Sequence, residues 1–156
     1  MRFAADSMLG RLTRWLRLSG YDVKYLSGAS DDEEILDLAI AERLVLLTQN
    51  AALYRSARKL GIRAVFVESG AIVEQLKQMI GALGVHLYNT PFFSRCPVCN
   101  GEIEGAEKEE LGGELSENVL TGTREFWRCA DCGKIYWEGR HWENIRKMIE
   151  EVRSDV

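Results

Sequence analysis

The chain has 156 residues, 46% of them hydrophobic and 28% charged, with two prolines and a net charge of −4. This is ordinary for a folded protein and sized for one medium domain or a medium domain plus a small one. The charge excludes a uniformly basic coat, and no apolar run approaches the roughly 20 residues of a membrane span. No basic region leading into an apolar run and a cleavage site opens the chain, so secretion is not expected and a cytoplasmic protein is.

RFAA, ending at Asp6, reads as a short first strand. Leu9, Leu12 and Leu16 then recur at helical spacing, and Gly20 is placed to stop that helix. Asp22 to Leu26 alternates as a second strand would. Ser30 to Glu33 has the S-x-x-E spacing of a capping box, which opens a helix through Ile35, Leu36 and Ala39 to about Glu42 and gives Glu33 a capping role. LVLL, Leu44 to Leu47, is a continuous apolar run, the mark of a central parallel strand buried on both faces. Thr48, Gln49 and Asn50 leave that strand; a helix over Ala51 to Lys59, ended by Gly61, follows. AVFV, Ala64 to Val67, is a fourth strand, and Ile72 to Leu83 a further helix. Four alternations of strand and helix predict an α/β fold, a parallel sheet flanked by helices through right-handed crossovers.

The pattern breaks at Tyr88 to Arg95, where Asn89, Thr90 and Pro91 end the periodicity. This divides the chain into a domain over 1–88 and a second unit over 89–156. The second unit is turn-rich to about Tyr136, with an acidic, glycine-containing insert at Glu102 to Gly122. It closes with an amphipathic helix at Trp142 to Val152, carrying Ile145, Met148, Ile149 and Val152 on one face.

All four cysteines lie in two C-x-x-C pairs, Cys96/Cys99 and Cys129/Cys132. Two disulfides are an alternative, but in a chain expected to be cytoplasmic this spacing favours zinc. Four thiolates leave the ion no open position, so the zinc is expected to be structural. A module of this size buries too little core alone, and the metal supplies much of its folding energy.

A second constellation is acidic. Ligands of open α/β sheets bind at the carboxyl ends of the strands, and Asp6, Asp31, Asp32 and Asn50 all follow or precede such ends. Clustered carboxylates there would hold Mg²⁺ or Mn²⁺. The competing reading is that the acids complement helix dipoles and that Asp6 caps the helix after it.

A third is basic. Arg11, Arg14 and Arg17 recur every three residues opposite the leucine face, as a stripe able to grip phosphates or as a solvated helix face. Arg55, with Arg58 and Lys59, follows Asn50 and takes the same reading. Phe126, Trp127, Tyr136, Trp137 and Trp142 could stack bases or form the mini-core beside the zinc knuckles. His141 could contact a ligand or cap the last helix.

FAADSMLGRLTRWLRLSGYDVKY, DDEEILDLA, VLLTQN, RCPVCNG and CADCGKIYWEGRHW, taken in order, resemble the family of the C-terminal RNase domain of the Mut-seven proteins. The resemblance covers nearly the whole chain. It implies a PIN-like nuclease domain followed by a zinc ribbon, and RNA hydrolysis dependent on Mg²⁺ or Mn²⁺. It places acids at Asp6, Asp32 and position 50, with Asp31 as a substitute ligand, and makes RNA the partner; PIN-like domains often pair, so a homodimer is a further expectation. One departure matters: the family's third-strand motif usually ends LTRD, and this chain has LTQN. Asn50 keeps a carbonyl oxygen but removes a negative charge, which implies attenuated cleavage or, alternatively, a catalytically silent module that binds RNA or a ribosomal partner. A protein–protein adaptor is a third reading, without salt-dependent RNA affinity.

Overall fold

The computed structural model describes residues 1–28, 31–87 and 95–154. Ser30 and the break between the two expected units lie outside the described residues.

Four strands, β1 (Arg2–Asp6), β2 (Asp22–Leu26), β3 (Val45–Thr48) and β4 (Ala64–Phe66), pair in parallel in the order β2-β1-β3-β4. Helices α1 (Gly10–Leu18), α2 (Asp32–Ala41), α3 (Ala51–Lys59) and α4 (Ile72–Leu83) connect and follow them, with a 3-10 turn over Ser7–Leu9 ahead of α1. The two central strands are buried on both faces. Phe3, Ala5, Val45 and Leu47 enter one core with Leu12 and Leu16 of α1 and Leu76 and Met79 of α4; Ala4 and Leu46 enter a second with Ile35, Ala39, Leu53 and Ala57. Strict alternation of side chains across the sheet is therefore why VLL reads as one unbroken apolar run. Gly20 (φ 86°) and Gly61 (φ 74°) follow the ends of α1 and α3 in the left-handed conformation, as the sequence predicts.

The helix expected to start at a Ser30 capping box is capped by Asp31, whose Oδ1 accepts from the Glu34 N–H at 2.9 Å. Glu33 is an exposed acid in the first turn, favourable to the dipole but not the cap.

The cysteine-bearing unit is a three-stranded antiparallel sheet ordered β5-β6-β7, from β5 (Ile103–Ala106), β6 (Phe126–Cys129) and β7 (Ile135–Trp137). Part of the acidic insert is thus strand, and the remainder holds a 3-10 turn at Lys108–Leu111 and α5 (Glu117–Gly122). The last helix, α6 (Arg140–Ser154), follows the ribbon in sequence yet returns to the first core. Ile149 and Val152 pack there with Leu83, Val85 and Leu87, so α6 clamps the small sheet to the large one. Among the described residues no helix is long and apolar enough to cross a membrane.

Candidate active site and metal centre

The two cysteine pairs occupy matching knuckles. In the first, the Cys96 N–H donates to Gly101 O (2.7 Å) and the Asn100 N–H to Cys96 O (2.8 Å). In the second, the Cys129 N–H donates to Lys134 O (2.9 Å) and the Gly133 N–H to Cys129 O (3.0 Å). The fourth residue after each leading cysteine has a positive φ, 73° at both Asn100 and Gly133. Gly101 is needed for a different reason: a Cβ there would sit 2.5 Å from Asp131 Oδ2.

These turns bring the four sulfurs within 4.8 Å of one another, the one such group of candidate metal ligands among the described residues. Cys96 Sγ lies 3.8 Å from Cys132 Sγ, and Cys99 Sγ 3.4 Å from Cys129 Sγ. All four cysteines are free thiols, and the edge of a zinc–thiolate tetrahedron is roughly 3.8 Å. The donor set fits a structural zinc with no open position. Cys96 is held down to about 7: burial opposes ionisation, but the Tyr136 hydroxyl, 3.0 Å away, and backbone N–H groups outweigh it. Burial and the Cys96 sulfur push the Tyr136 phenol up, so it remains a donor to sulfur.

The first knuckle is also the joint between the two sheets. Asn100 Nδ2 donates to Asp22 Oδ1 (2.7 Å), and its Oδ1 accepts from the Val23 N–H (3.1 Å). Arg17 completes the joint, donating to Val23 O (2.7 and 3.0 Å), Val98 O (2.9 Å) and Pro97 O (3.3 Å). This corrects the expected basic stripe. Arg17 is 6% exposed and serves as an internal strut; only Arg11 and Arg14 are exposed on α1. Helical periodicity carries Arg17 round towards β2, where backbone carbonyls await a donor.

Asp6, at the carboxyl end of β1, is 6% exposed. Its Oδ1 accepts from the Met8 N–H (2.9 Å), capping the 3-10 turn; Oδ2 accepts from the Gln49 N–H (2.9 Å) and the Thr48 hydroxyl. All three donors are neutral, and no ion pair reaches Asp6 among the described residues. Asn50 follows β3 on the same side of the sheet, and its Oδ1 caps α3, accepting from Ala52 N–H (2.9 Å) and Leu53 N–H (3.2 Å). Asp31 and Asp32 are exposed at the start of α2. These acids share the carboxyl-end rim but do not form a ready-made ligand cluster. Beside the donors to Asp6 lies a cavity of about 230 Å³ lined by Met8, Arg11, Gln49, Ser69 and Gln75, which places Arg11 next to the two residues whose N–H groups hold Asp6.

Arg55 is exposed on α3. Of the ribbon aromatics, Phe126, Trp127 and Trp142 are buried and belong to the mini-core, whereas Tyr136 and Trp137 are half-buried. His141 is exposed and stands edge-on to Trp137, ring centroids 6.3 Å apart.

Residues 1–149 match the Mut7-C RNAse domain family. The chain belongs to that family. Membership links this Mut7-C domain to nuclease and RNA chemistry at the level of the family. Curated proteins resemble it more distantly: a cysteine–tRNA ligase of Neisseria gonorrhoeae is 26% identical, covering 86% of this chain and 32% of the ligase. A Neisseria meningitidis serogroup B ligase is 27% identical over the same shares, and a serogroup A ligase is 27% identical over 86% of this chain and 22% of its own length. The chain thus spans a third or less of these relatives. No solved structure matches.

Two residues of the Mut7-C domain escaped the sequence reading. Thr48 sits in the quoted motif, but nothing in a threonine announces that it will bridge two strand ends. Asn100 had a signal: it occupies the slot that glycine fills in the second knuckle, and asparagine tolerates the left-handed conformation.

Proposed function

We propose that this Mut7-C domain is a divalent-metal-dependent ribonuclease that hydrolyses RNA phosphodiesters at the rim formed by Asp6, Asp32 and Asn50, with activity attenuated by the neutral residue at 50. The observation that carries the reading is Asp6: a buried carboxylate at the carboxyl end of a central strand, held by dipoles and lacking a cationic partner among the described residues. Buried charges are normally paired or coordinate metals. Mg²⁺ keeps several waters and needs only one or two carboxylates plus substrate phosphate, which suits a rim of separated acids. Asp6 and Asp32 would hold the ion, which when bound activates water for in-line attack on phosphorus. Asp31 is occupied as the α2 cap and contributes charge. Arg11 and Arg14, exposed on α1, bind the flanking phosphates, and Arg55 extends that surface along α3. Thr48 and the Gln49 N–H keep the Asp6 carboxylate in one orientation.

The test is cleavage of single-stranded and structured RNA with Mn²⁺, beside an Asp6→Asn control. Metal-stimulated cleavage lost in the control is the expected result; cleavage that survives Asp6→Asn removes the site. A second reading, a silent RNA-binding module, draws on Asn50, whose only side-chain acceptor is engaged in capping α3. Tight RNA binding without cleavage would favour it. The resemblance to segments of tRNA ligases is consistent with an RNA-facing module in either case.

A further inference from the structure

Between α1 and the ribbon lies a second cavity, of about 550 Å³, a volume ordinary for a ligand cleft. Arg14 and Trp15 of α1 line it together with Val98, Lys134, Trp137 and His141 of the ribbon and α6. No carboxylate is found among the described residues that line it. Arg14 and Lys134 are exposed, and their side chains make no ion pair or hydrogen bond among the described residues. Val98 is 52% exposed, although the carbonyl beside its side chain is tied to Arg17. Cationic edges without acids, around half-buried tryptophans, suit a ligand that is anionic along its length and aromatic at intervals.

Helix α1 runs from the cleft towards the end of β1 that carries Asp6. Arg14 lines the cleft, and Arg11, one turn earlier on the same exposed face, lines the cavity beside Gln49 and Met8. The walls are also fixed in place. The Tyr136 hydroxyl is bonded to Cys96 Sγ, and the Arg17 strut anchors the knuckle carrying Pro97 and Val98.

We propose that this cleft receives unpaired RNA. On this assignment one or two bases stack on Trp137 and Trp15, while Arg14 and Lys134 bind the backbone and feed the strand past Arg11 to Asp6. The proposal rests on the ribonuclease reading for the direction of the strand, but its ligand is testable without catalysis. A duplex, whose bases are already stacked and paired, cannot use the aromatic walls. The cleft would therefore select single-stranded RNA.

Binding of a labelled oligouridylate and of a blunt RNA duplex would be measured by fluorescence anisotropy. The protein would be the zinc-loaded full chain, without added Mg²⁺ or Mn²⁺. Trp137→Ala should weaken oligouridylate binding by about 5- to 100-fold and leave duplex binding nearly unchanged, while Trp137→Phe retains most of the affinity. Arg14→Gln and Lys134→Gln, both at exposed positions, should each reduce the salt slope of single-strand binding by about 0.7. Zinc content and melting temperature of each variant report whether the ribbon is intact. Wild-type affinity in Trp137→Ala and Arg14→Gln, or equal losses for duplex and single strand, would overturn the cleft and leave cleavage at Asp6 standing. Absence of cleavage with these binding losses intact would instead remove the catalytic reading and keep the cleft.

Discussion

The Thr48 hydroxyl donates to Oδ2 of Asp6, tying the ends of β1 and β3 together, and at the same time accepts from the Asn50 N–H at 2.9 Å. One side chain therefore orients the buried carboxylate and sets the exit from β3. Replacing Thr48 with valine preserves shape but leaves the Asn50 N–H without its acceptor and removes one of the three donors to Asp6. A loss of about 2 kcal/mol is expected, measured by urea unfolding. Metal-dependent cleavage should fall as well, because the carboxylate is freed to turn.

Asn50 separates capping from chemistry. Aspartate caps helices as well as asparagine does, so Asn50→Asp should leave stability nearly unchanged while raising Mn²⁺ affinity and RNA cleavage. Asn50→Ala removes the acceptor used by Ala52 and Leu53 and should cost about 1 kcal/mol. Calorimetric Mn²⁺ titration beside thermal melting distinguishes the two effects. Unchanged metal affinity and cleavage in Asn50→Asp would exclude position 50 from the site.

Arg17 holds the two sheets together through the carbonyls of Val23, Pro97 and Val98. Arg17→Met keeps an apolar stem and strands those acceptors, with an expected cost of about 3 kcal/mol. Hydrogen exchange should show the loss concentrated in β2 and the first knuckle. A pure phosphate-binding role would instead lower RNA affinity with stability intact.

Acid should loosen the same joint. Burial alone would raise the Asp22 pKa, but hydrogen bonds from Arg2 and Asn100 outweigh it and hold the carboxyl below its usual value. Stability from a depressed carboxylate is fully present above the unfolded pKa, near about 4, and is lost as pH falls through the lower folded value. Unfolding midpoints of the parent should drop in that window by more than those of Asp22→Asn, which already lacks the titrating group.

Zinc removal should act on one sheet first. Trp127, Trp137 and Trp142 lie in or beside the ribbon, and Trp15 faces it from α1. Chelation, or Cys99→Ser, should shift tryptophan emission to the red while the far-UV signal of the parallel sheet and its helices largely persists. Simultaneous loss of both signals would mean that the large core cannot stand without the metal.

The elements were legible because their signals are local. Six apolar positions in β1 and β3 alternate between two cores, the helices carry leucines at 3.6-residue spacing, and two C-x-x-C pairs point to a common ion. Asp6, Asp31, Asp32 and Asn50 could be placed on one rim because strand ends in a parallel sheet face the same way. How those side chains are used was not legible. Asp31 and Asn50 are taken up as helix caps, and Asp6 is gripped by donors from β3 and the turn after β1, partners up to 43 residues away in sequence.

By itself the sequence determined the α/β alternation, the knuckles and the family, since each depends on spacing within a short stretch of chain. Tertiary structure alone decided that Arg17 is an internal strut, that α6 belongs to the first core, and that Trp137 and Arg14 line one cleft. Those outcomes depend on which surfaces meet when the ribbon folds back on β2. That docking is governed by Asn100 and the Arg17 guanidinium finding backbone partners some 80 residues away, a distance over which no periodicity operates.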